Sequence, residues 1–245
     1  MTRKFITIES ADVDSRHQLR SALEETILKR YGKKVMVIGT EYFPYDSFAS
    51  NIEDAVVKAA NGGDISQYTV LFSNIAILSS INDKISKALN DDIPVICVGH
   101  LTQFTVQALT RETTGLFAPI ADCGLFAEPS KMIHLVHDEE KWELLKKEPE
   151  NEGEANVIDF YKKVNASFAQ TAKNLDSIEE LNGMTKTIYF ENSQNIMDDI
   201  LAEIDAVLRG PEPQPIVADE PKAVNEETSG ALEAMDEGDI DFEEQ

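Results

Sequence analysis

Short apolar runs alternate with amphipathic helical patterns along most of this chain. The runs have the length of strands, and the segments between them space apolar residues along one helix face, as Ile196, Ile200 and Ile204 do. Strands that alternate with helices need crossover connections, which place the strands side by side in a parallel sheet. We therefore predict an α/β fold with three α/β/α layers around a parallel five-stranded sheet. The five strands are KFITI, KKVMVIG, IPVICV, KMIHLV and KTIYF.

The helical patterns predict about seven helices. We expect one helix from about Leu101, one over HDEEKWELLKK, a long helix over NVIDFYKKVNASFAQTAKNL and a last helix from Ser193. Trp142 is the single tryptophan and lies on the second of these. Because that segment is amphipathic, we expect Trp142 in the core or in a dimer interface.

The chain is strongly acidic, with 45 acidic and 22 basic residues among 245 and a net charge of −23. Such a surface repels a phosphate backbone, so we predict no direct binding to nucleic acid. The acid excess is concentrated in residues 211–245, where 12 acidic residues accompany one lysine and four prolines. We predict a folded domain over residues 1–210 and a disordered acidic tail over residues 211–245.

Membrane, disulfide and metal functions find little support in the sequence. No apolar run approaches the roughly 18 residues of a membrane span, and MTRKFITIES passes into a strand without a signal-type stretch. We expect a cytoplasmic protein. Cys97 and Cys123 lack the pairing of a metal site and are predicted to be reduced, packed thiols. His134 and His137 would point to opposite faces of a strand end, so we predict no metal site.

Parallel sheets bind ligands at the carboxyl ends of their strands. The segments SADVDSRH, TEYFPYD and VGHL follow the first three strands and are expected to share one crevice. The first of them lies between a predicted strand and a predicted helix, where many proteins keep a phosphate-binding loop. It has neither the glycines nor the lysine that such a loop uses to approach and hold phosphate.

Six segments in order resemble the thymidylate kinases, and together they span residues 4–208. They are FITIE-x-x-D, EYFP, VLFS, ALNDDIPVICV, EPSKMIHLVHDEEKWELLKK and NVIDFYKKVNASFAQTAK. The resemblance implies a P-loop kinase fold. The family transfers the γ-phosphoryl group of ATP to dTMP, which requires a phosphate cradle, Mg²⁺ and arginines that spread the transferred charge.

The phosphate cradle departs from the family pattern at four positions. Ser10 and Ser15 replace the glycines, Arg16 replaces the lysine, and His17 replaces the hydroxyl residue that would hold Mg²⁺. A β-carbon at either serine obstructs the backbone approach to an anion. We favour the interpretation that SADVDSRH is an ordinary loop in which Ser15 or Asp14 caps a helix that Arg16 begins.

The other phosphate contacts of the family are also altered. Val98 and Gly99 stand where the third strand should run into Asp-Arg. After the FP pair, the family has an arginine that grips the acceptor phosphate, whereas this chain has Tyr45 and Asp46. Ala76 replaces another arginine. The expected arginine-rich lid, residues 146–156, is KKEPENEGEAN, in which glutamates replace cations.

A nucleoside pocket could survive these losses. By the resemblance, its residues would be Glu9, Asp12, Phe43, Phe72 and Arg111. Phe72 occupies the place of a ring that stacks on thymine, although we favour the alternative that it packs in the core with Ile75. Arg111 is the nearby candidate for a lid cation.

We therefore expect a thymidylate-kinase-like protein that has lost catalysis, needs no cofactor, and acts by binding a protein or a nucleoside. The alternative is a divergent but active dTMP kinase that uses ATP and Mg²⁺, with Arg16 in place of lysine and Arg111 in place of lid cations. Such divergence suits a large bacteriophage genome, which would place the protein in the host cytoplasm.

Two kinds of protein contact are expected. The resemblance implies a homodimer, and the run VLFSNIAILSSI carries more apolar residues than one core-facing stripe requires. The tail end ALEAMDEGDIDFEEQ places Ile240 and Phe242 among carboxylates, which favours a partner contact there, although a purely solubilising tail is an equal alternative.

Overall fold

The computed structural model describes residues 4–39, 51–52, 55 and 65–208. It contains a five-stranded sheet in the order β2-β3-β1-β4-β5, and every neighbouring pair is parallel. The strands are β1 (Phe5–Ser10), β2 (Met36–Gly39), β3 (Val95–Val98), β4 (Lys131–Val136) and β5 (Thr185–Tyr189). The predicted parallel five-stranded sheet is confirmed, and each strand overlaps the apolar run that predicted it.

Helices cover both faces of the sheet. They are α1 (Val13–Tyr31), α2 (Gln67–Asn90), α3 (Leu101–Thr110), α4 (Thr114–Ala121), α5 (Glu143–Lys146), α6 (Glu152–Asp176) and α7 (Ile196–Leu208). Apolar residues of α1 and α7 share one buried cluster with Ile6 and Ile8. Residues of α2, α3 and α4 share another with Phe5, and α3 and α6 meet in a third. The three-layer architecture is thus the predicted one.

The central strand β1 decides which side chains face which layer. All six of its residues are buried. Because side chains alternate along a strand, Ile6 and Ile8 face α1 and α7, whereas Phe5 faces α2 and α3. Glu9 has the parity of Phe5, so the strand places a carboxylate on the side of α3.

The extent of one predicted helix was wrong. The helix predicted over HDEEKWELLKK is reduced to α5, because residues 138–142 form a turn in which the Asp138 carbonyl accepts from the amides of Lys141 and Trp142. The helix predicted from about Leu101 does begin there, as α3, and a separate helix, α4, follows it. They are separated at Glu112, whose φ of 58° is the left-handed conformation that ends helices.

Several smaller predictions can be compared with the structure. Trp142 is buried and belongs to the core, and Cys97 is buried, as expected. Cys123 is exposed, so its predicted packing was wrong, since it lies beyond the end of α4 rather than in a strand. Phe43 and the tail residues Ile240 and Phe242 lie outside the described residues. No helix in the described ranges is long and apolar enough to cross a membrane.

Candidate functional site

The carboxyl ends of the strands meet at one edge of the sheet. In the strand register, Ile8 of β1 lies opposite Val98 of β3, and Ser10 lies opposite Leu135 of β4. The segments after β1 and β3 therefore do share an edge, as predicted. The loop predicted after β2 falls within residues 40–50, which are not among the described residues.

Arg16 places a positive charge deep in this edge of the sheet. Its side chain is buried, with 2% of the residue exposed, and its guanidinium Nη1 donates to the carbonyl oxygen of Ser10. Arg16 lies in the first turn of α1, so its side chain folds back onto the loop that precedes its own helix. The cation that the resemblance places at a lysine position thus binds the backbone of the loop itself.

The loop between β1 and α1 is closed by a helix cap. The Asp12 carboxylate Oδ2 accepts from the Ser15 amide at 3.1 Å and also from the Ser15 hydroxyl. The Asp12 amide in turn donates to Ser10 Oγ at 3.2 Å. The predicted cap was therefore wrong: α1 begins at Val13 and Asp12 caps it. His17, one turn further on, is exposed.

Glu9 caps a second helix from inside the sheet. Its carboxylate is buried and accepts from the amides of His100 at 2.9 Å, Gln103 at 3.2 Å and Thr102 at 3.4 Å. These amides lie at the amino end of α3, where backbone N–H groups lack intrahelical partners. Burial raises the pKa of Glu9, while the three amides and the positive charge of Arg16 favour its ionised form. This carboxylate therefore has a structural partner at each oxygen.

Val98 and Gly99, where the resemblance led us to expect an Asp-Arg pair, have structural roles. Val98 is buried in the same apolar cluster as Ile8. Gly99 has a φ of 80°, a conformation in which a residue with a β-carbon would be strained. Its amide donates to the Ile8 carbonyl at 2.8 Å. This turn directs the chain from β3 into α3.

Arg111 and Phe72, two of the residues proposed for a nucleoside pocket, lie in different surroundings. Arg111 lies beyond the end of α3 with its guanidinium 5.0 Å from the centroid of the Phe160 ring, and burial lowers its pKa. It lines a small pocket with Asn74 and Gln107. Phe72 is 56% exposed, so the expectation that it packs in the core was wrong. Its side chain points away from the cluster that buries its neighbour Leu71.

The segment expected to form a lid, with the residues just before it, carries paired charges. Lys147 forms an ion pair of 3.1 Å with Glu154, and Lys146 forms one of 2.9 Å with Glu143. Asn151 caps α6 by accepting from the Glu154 amide at 3.0 Å. Acidic residues in the first turn of a helix are stabilised by its dipole, which accounts for glutamates at the start of α6.

The two histidines of the H-x-x-H motif have separate surroundings. His134 is fully buried with its ring 5.9 Å from that of Phe168, and burial lowers its pKa to about 4. His137 lies just past β4, and its Nδ1 is 2.9 Å from Glu191 Oε1. The described residues contain no group of three or more His, Cys, Asp or Glu residues arranged to hold a metal ion.

Sequence reasoning missed the partners of His137. Val136 lies opposite Tyr189 in the β4–β5 register, so His137 and Phe190 each follow the end of a neighbouring strand. Correct strand ends and pairing order would have placed these two residues side by side.

Comparisons with known proteins agree with this architecture. Neither a protein-family model nor a curated protein sequence matches the chain. The structure, however, is similar to the crystal structure of thymidylate kinase from Ehrlichia chaffeensis, with a TM-score of 0.57 and 18% identity. The alignment covers 84% of this chain and 96% of that one. The chain has a thymidylate-kinase-like fold. At this identity the likeness shows the fold alone.

We predict that Glu9→Gln removes a pH-dependent part of the stability. Because the pKa of folded Glu9 is raised above its usual 4.5, the folded state keeps this proton to higher pH than the unfolded chain does. The wild-type free energy of unfolding should therefore fall relative to Glu9→Gln as pH rises above 4.5, and level off once the folded carboxyl has ionised. Urea unfolding followed by circular dichroism measures this difference. The exposed Glu148→Gln is the control, and parallel curves for wild type and Glu9→Gln would contradict the prediction.

Proposed function

We propose that this protein is a non-catalytic member of the thymidylate-kinase-like fold, which acts by binding a protein or a nucleoside. The observation that carries the proposal is the Arg16 guanidinium, which is buried and bonded to the Ser10 carbonyl. In a working phosphate loop the cation at this position is free to meet the ligand, and the backbone donates N–H groups to it. Here the Arg16 guanidinium binds the loop's own backbone instead.

Moving Arg16 to a phosphate would be costly. The guanidinium would have to leave the Ser10 carbonyl, and the buried acceptor would then lose a charge-assisted hydrogen bond. The positive charge of Arg16 also favours the ionised form of the buried Glu9 carboxylate. Removing one partner from a buried charge pair is strongly destabilising. An incoming phosphate would therefore compete with groups that already satisfy one another.

The other cations that the resemblance associates with the site also have partners within the chain. Arg111 is stacked on Phe160, and Lys146 and Lys147 are paired with glutamates. Exposed ion pairs are individually weak, so these lysines could exchange partners. If this segment closes over the site, as the resemblance implies for a lid, its glutamates would oppose the negative charge of a transferred phosphoryl group. Catalysis of phosphoryl transfer depends mainly on positioning and on stabilising the charge of the transition state, and this arrangement supplies little of the second.

The alternative, a divergent active dTMP kinase, rests on the positive charge that Arg16 keeps at the lysine position. That interpretation requires Arg16 to exchange its Ser10 partner for phosphate when ATP and Mg²⁺ bind. It also requires a carboxylate or hydroxyl for Mg²⁺ in place of Val98 and His17. We favour the non-catalytic function because both changes would be needed at once.

A second part of the proposal is self-association through α2. Five apolar residues of the run VLFSNIAILSSI are buried within the chain, so most of that run is not available to a partner; they are Val70, Leu71, Ile77, Leu78 and Ile81. The exposed apolar surface of α2 is concentrated at Tyr68, which is 48% exposed, and Phe72. Two exposed aromatic rings one turn apart favour an interface with a second copy.

The acidic tail is proposed as a second contact, with a protein partner. Residues 209–245 are not among the described residues, so this part rests on the sequence. Carboxylates would steer the tail towards a basic surface, and Ile240 and Phe242 would anchor it.

We predict that the purified protein forms no ADP above background with dTMP, ATP and Mg²⁺. A coupled kinase assay measures this. Thermal unfolding is the second readout, because a ligand at 100 times its Kd raises the Tm of a domain of this size by on the order of 5–10 °C. We expect no such rise with ATP. Robust Mg²⁺-dependent ADP formation would establish the active-kinase alternative.

The same experiment includes two matched variants. Arg16→Lys should lower the Tm, because an ammonium cannot reproduce a buried guanidinium contact, and it should not restore activity. Arg30→Lys alters an arginine on the surface of α1 that pairs with Asp205, and should change stability by no more than about 0.5 kcal/mol. Kinase activity in Arg16→Lys would show that Arg16 alone blocks the site.

For self-association, we predict a particle of twice 27.2 kDa by light scattering at micromolar concentration. Phe72→Glu should yield monomers because a charge would be buried in the interface. Leu28→Glu, at a 51% exposed position on α1 in the other helical layer, should remain dimeric. A monomeric wild type would exclude this interface.

For the tail, we predict that partners recovered from extract of the native host depend on its apolar end. The compared proteins are the full chain, a chain truncated after Gly210, and Ile240→Ala with Phe242→Ala. Both altered forms should lose the partner that the full chain retains. Equal recovery by all three would place the recruiting surface on the folded domain.

A further inference from the structure

His137 is held between two aromatic rings at the carboxyl edge of the sheet. Its ring lies 4.3 Å from that of Trp142 and 4.3 Å from that of Phe190, and each pair is within 4° of parallel. Two rings at this distance would collide on one face of an imidazole, so they lie on opposite faces. His137 is 8% exposed. The stacking therefore leaves the ring edge, with its two nitrogens, to make the polar contacts.

Each nitrogen of this ring faces a carboxylate. Nδ1 lies 2.9 Å from Glu191 Oε1, and Nε2 lies 3.8 Å from Asp12 Oδ2. The second distance is suited to an ion pair and is too long for a hydrogen bond. Glu191 is fixed in turn, because its Oε2 accepts from the Asp138 amide at 2.8 Å. We name this cluster of His137, Trp142, Phe190, Glu191 and Asp12 the His137 latch.

The hydrogen-bond inventory of imidazole makes this arrangement sensitive to protonation. A neutral ring has one N–H, whereas an imidazolium has one at each nitrogen. If the neutral ring donates to Glu191, its Nε2 lone pair faces the Asp12 carboxylate, and the contact is repulsive. The imidazolium attracts both carboxylates, and its charge lies over the faces of two aromatic rings, which also favours it.

We propose that the His137 latch is a pH-sensitive switch that holds the segments after β1, β4 and β5 together while His137 is protonated. Asp12 belongs to the first segment, His137 and Trp142 to the second, and Phe190 and Glu191 to the third. Loss of the proton releases the Asp12 contact and keeps the Glu191 contact. Histidine is the side chain that changes charge between about pH 5 and 8. The switch stands whether or not the protein binds a nucleotide.

The other charged groups around the latch are already paired. Lys141 Nζ lies 3.4 Å from Asp138 Oδ2 and 3.2 Å from Asn192 Oδ1. Arg16, on α1, bonds to the Ser10 carbonyl. From α6, the neutral Asn165 donates to the His137 carbonyl at 3.0 Å, and the Tyr161 ring meets Trp142 edge-on. Asp12 and Glu191 are therefore the charges that the ring nitrogens face.

Trp142 reports directly on this contact because it is the single tryptophan of the chain. A stacked imidazolium quenches indole fluorescence more than a neutral imidazole does. The experiment is a fluorescence titration of the full chain between about pH 5 and 8. We expect the emission to rise through one step as pH increases. His100 and His134 change charge below the pH range of this titration, because burial lowers the pKa of each to about 4.

Two variants test the assignment. His137→Phe keeps a ring between Trp142 and Phe190 without a titrating group, and we expect it to lose the step. His17→Gln removes the exposed histidine of α1 and should keep it. A step that persists in His137→Phe, or a wild type without a step, would overturn the proposal.

Hydrogen exchange tests the mechanical part separately. The Ser15 amide donates to Asp12, so its protection, corrected for the intrinsic pH dependence of exchange, reports on the first segment. We expect that protection to decrease across the fluorescence step in the wild type and to be unchanged by pH in His137→Phe. A fluorescence step with constant Ser15 protection would show a titrating histidine that does not act as a latch, and the proposal would fail.

Discussion

The carboxylate of Glu9 holds together parts of the chain that are 91 residues apart, because it lies in the central strand and accepts from the His100 amide. This one side chain satisfies amides at the amino end of α3 and so sets where that helix begins. The position is fixed by strand parity, since a residue before or after it would point to the other layer. The pKa of Glu9 is raised because burial at this position disfavours the charged form of the acid.

The loop beside Glu9 has polar contacts that differ from those of a phosphate loop. A phosphate loop offers amide hydrogens and a cation to a ligand that arrives from water. In this chain the cation is Arg16, its acceptor is the Ser10 carbonyl, and the amide of Ser15 is taken by Asp12. These contacts satisfy the polar groups of the loop from within the chain.

The strands were predictable because a parallel sheet buries most of its central strands, which leaves short apolar runs in the sequence. The turn at residues 138–142 was not, since nothing local to it opposes a helix; the tertiary stacking of Trp142 on His137 accounts for it. The resemblance identified Arg16 as an altered position but gave no direction for its side chain. Phe72 was misplaced because apolar spacing alone does not separate the buried face of α2 from its exposed margin.

Helix α6 contacts two regions that lie apart in the sequence. Asn165 binds the backbone of His137, and Phe160, five residues earlier, carries the guanidinium of Arg111. Along a helix, five residues span about 7.5 Å, and a helix is stiff over that length. This part of α6 therefore keeps its contacts with His137 and Arg111 at a fixed separation. A tilt of α6 would therefore displace the His137 backbone and the Arg111 guanidinium in the same movement.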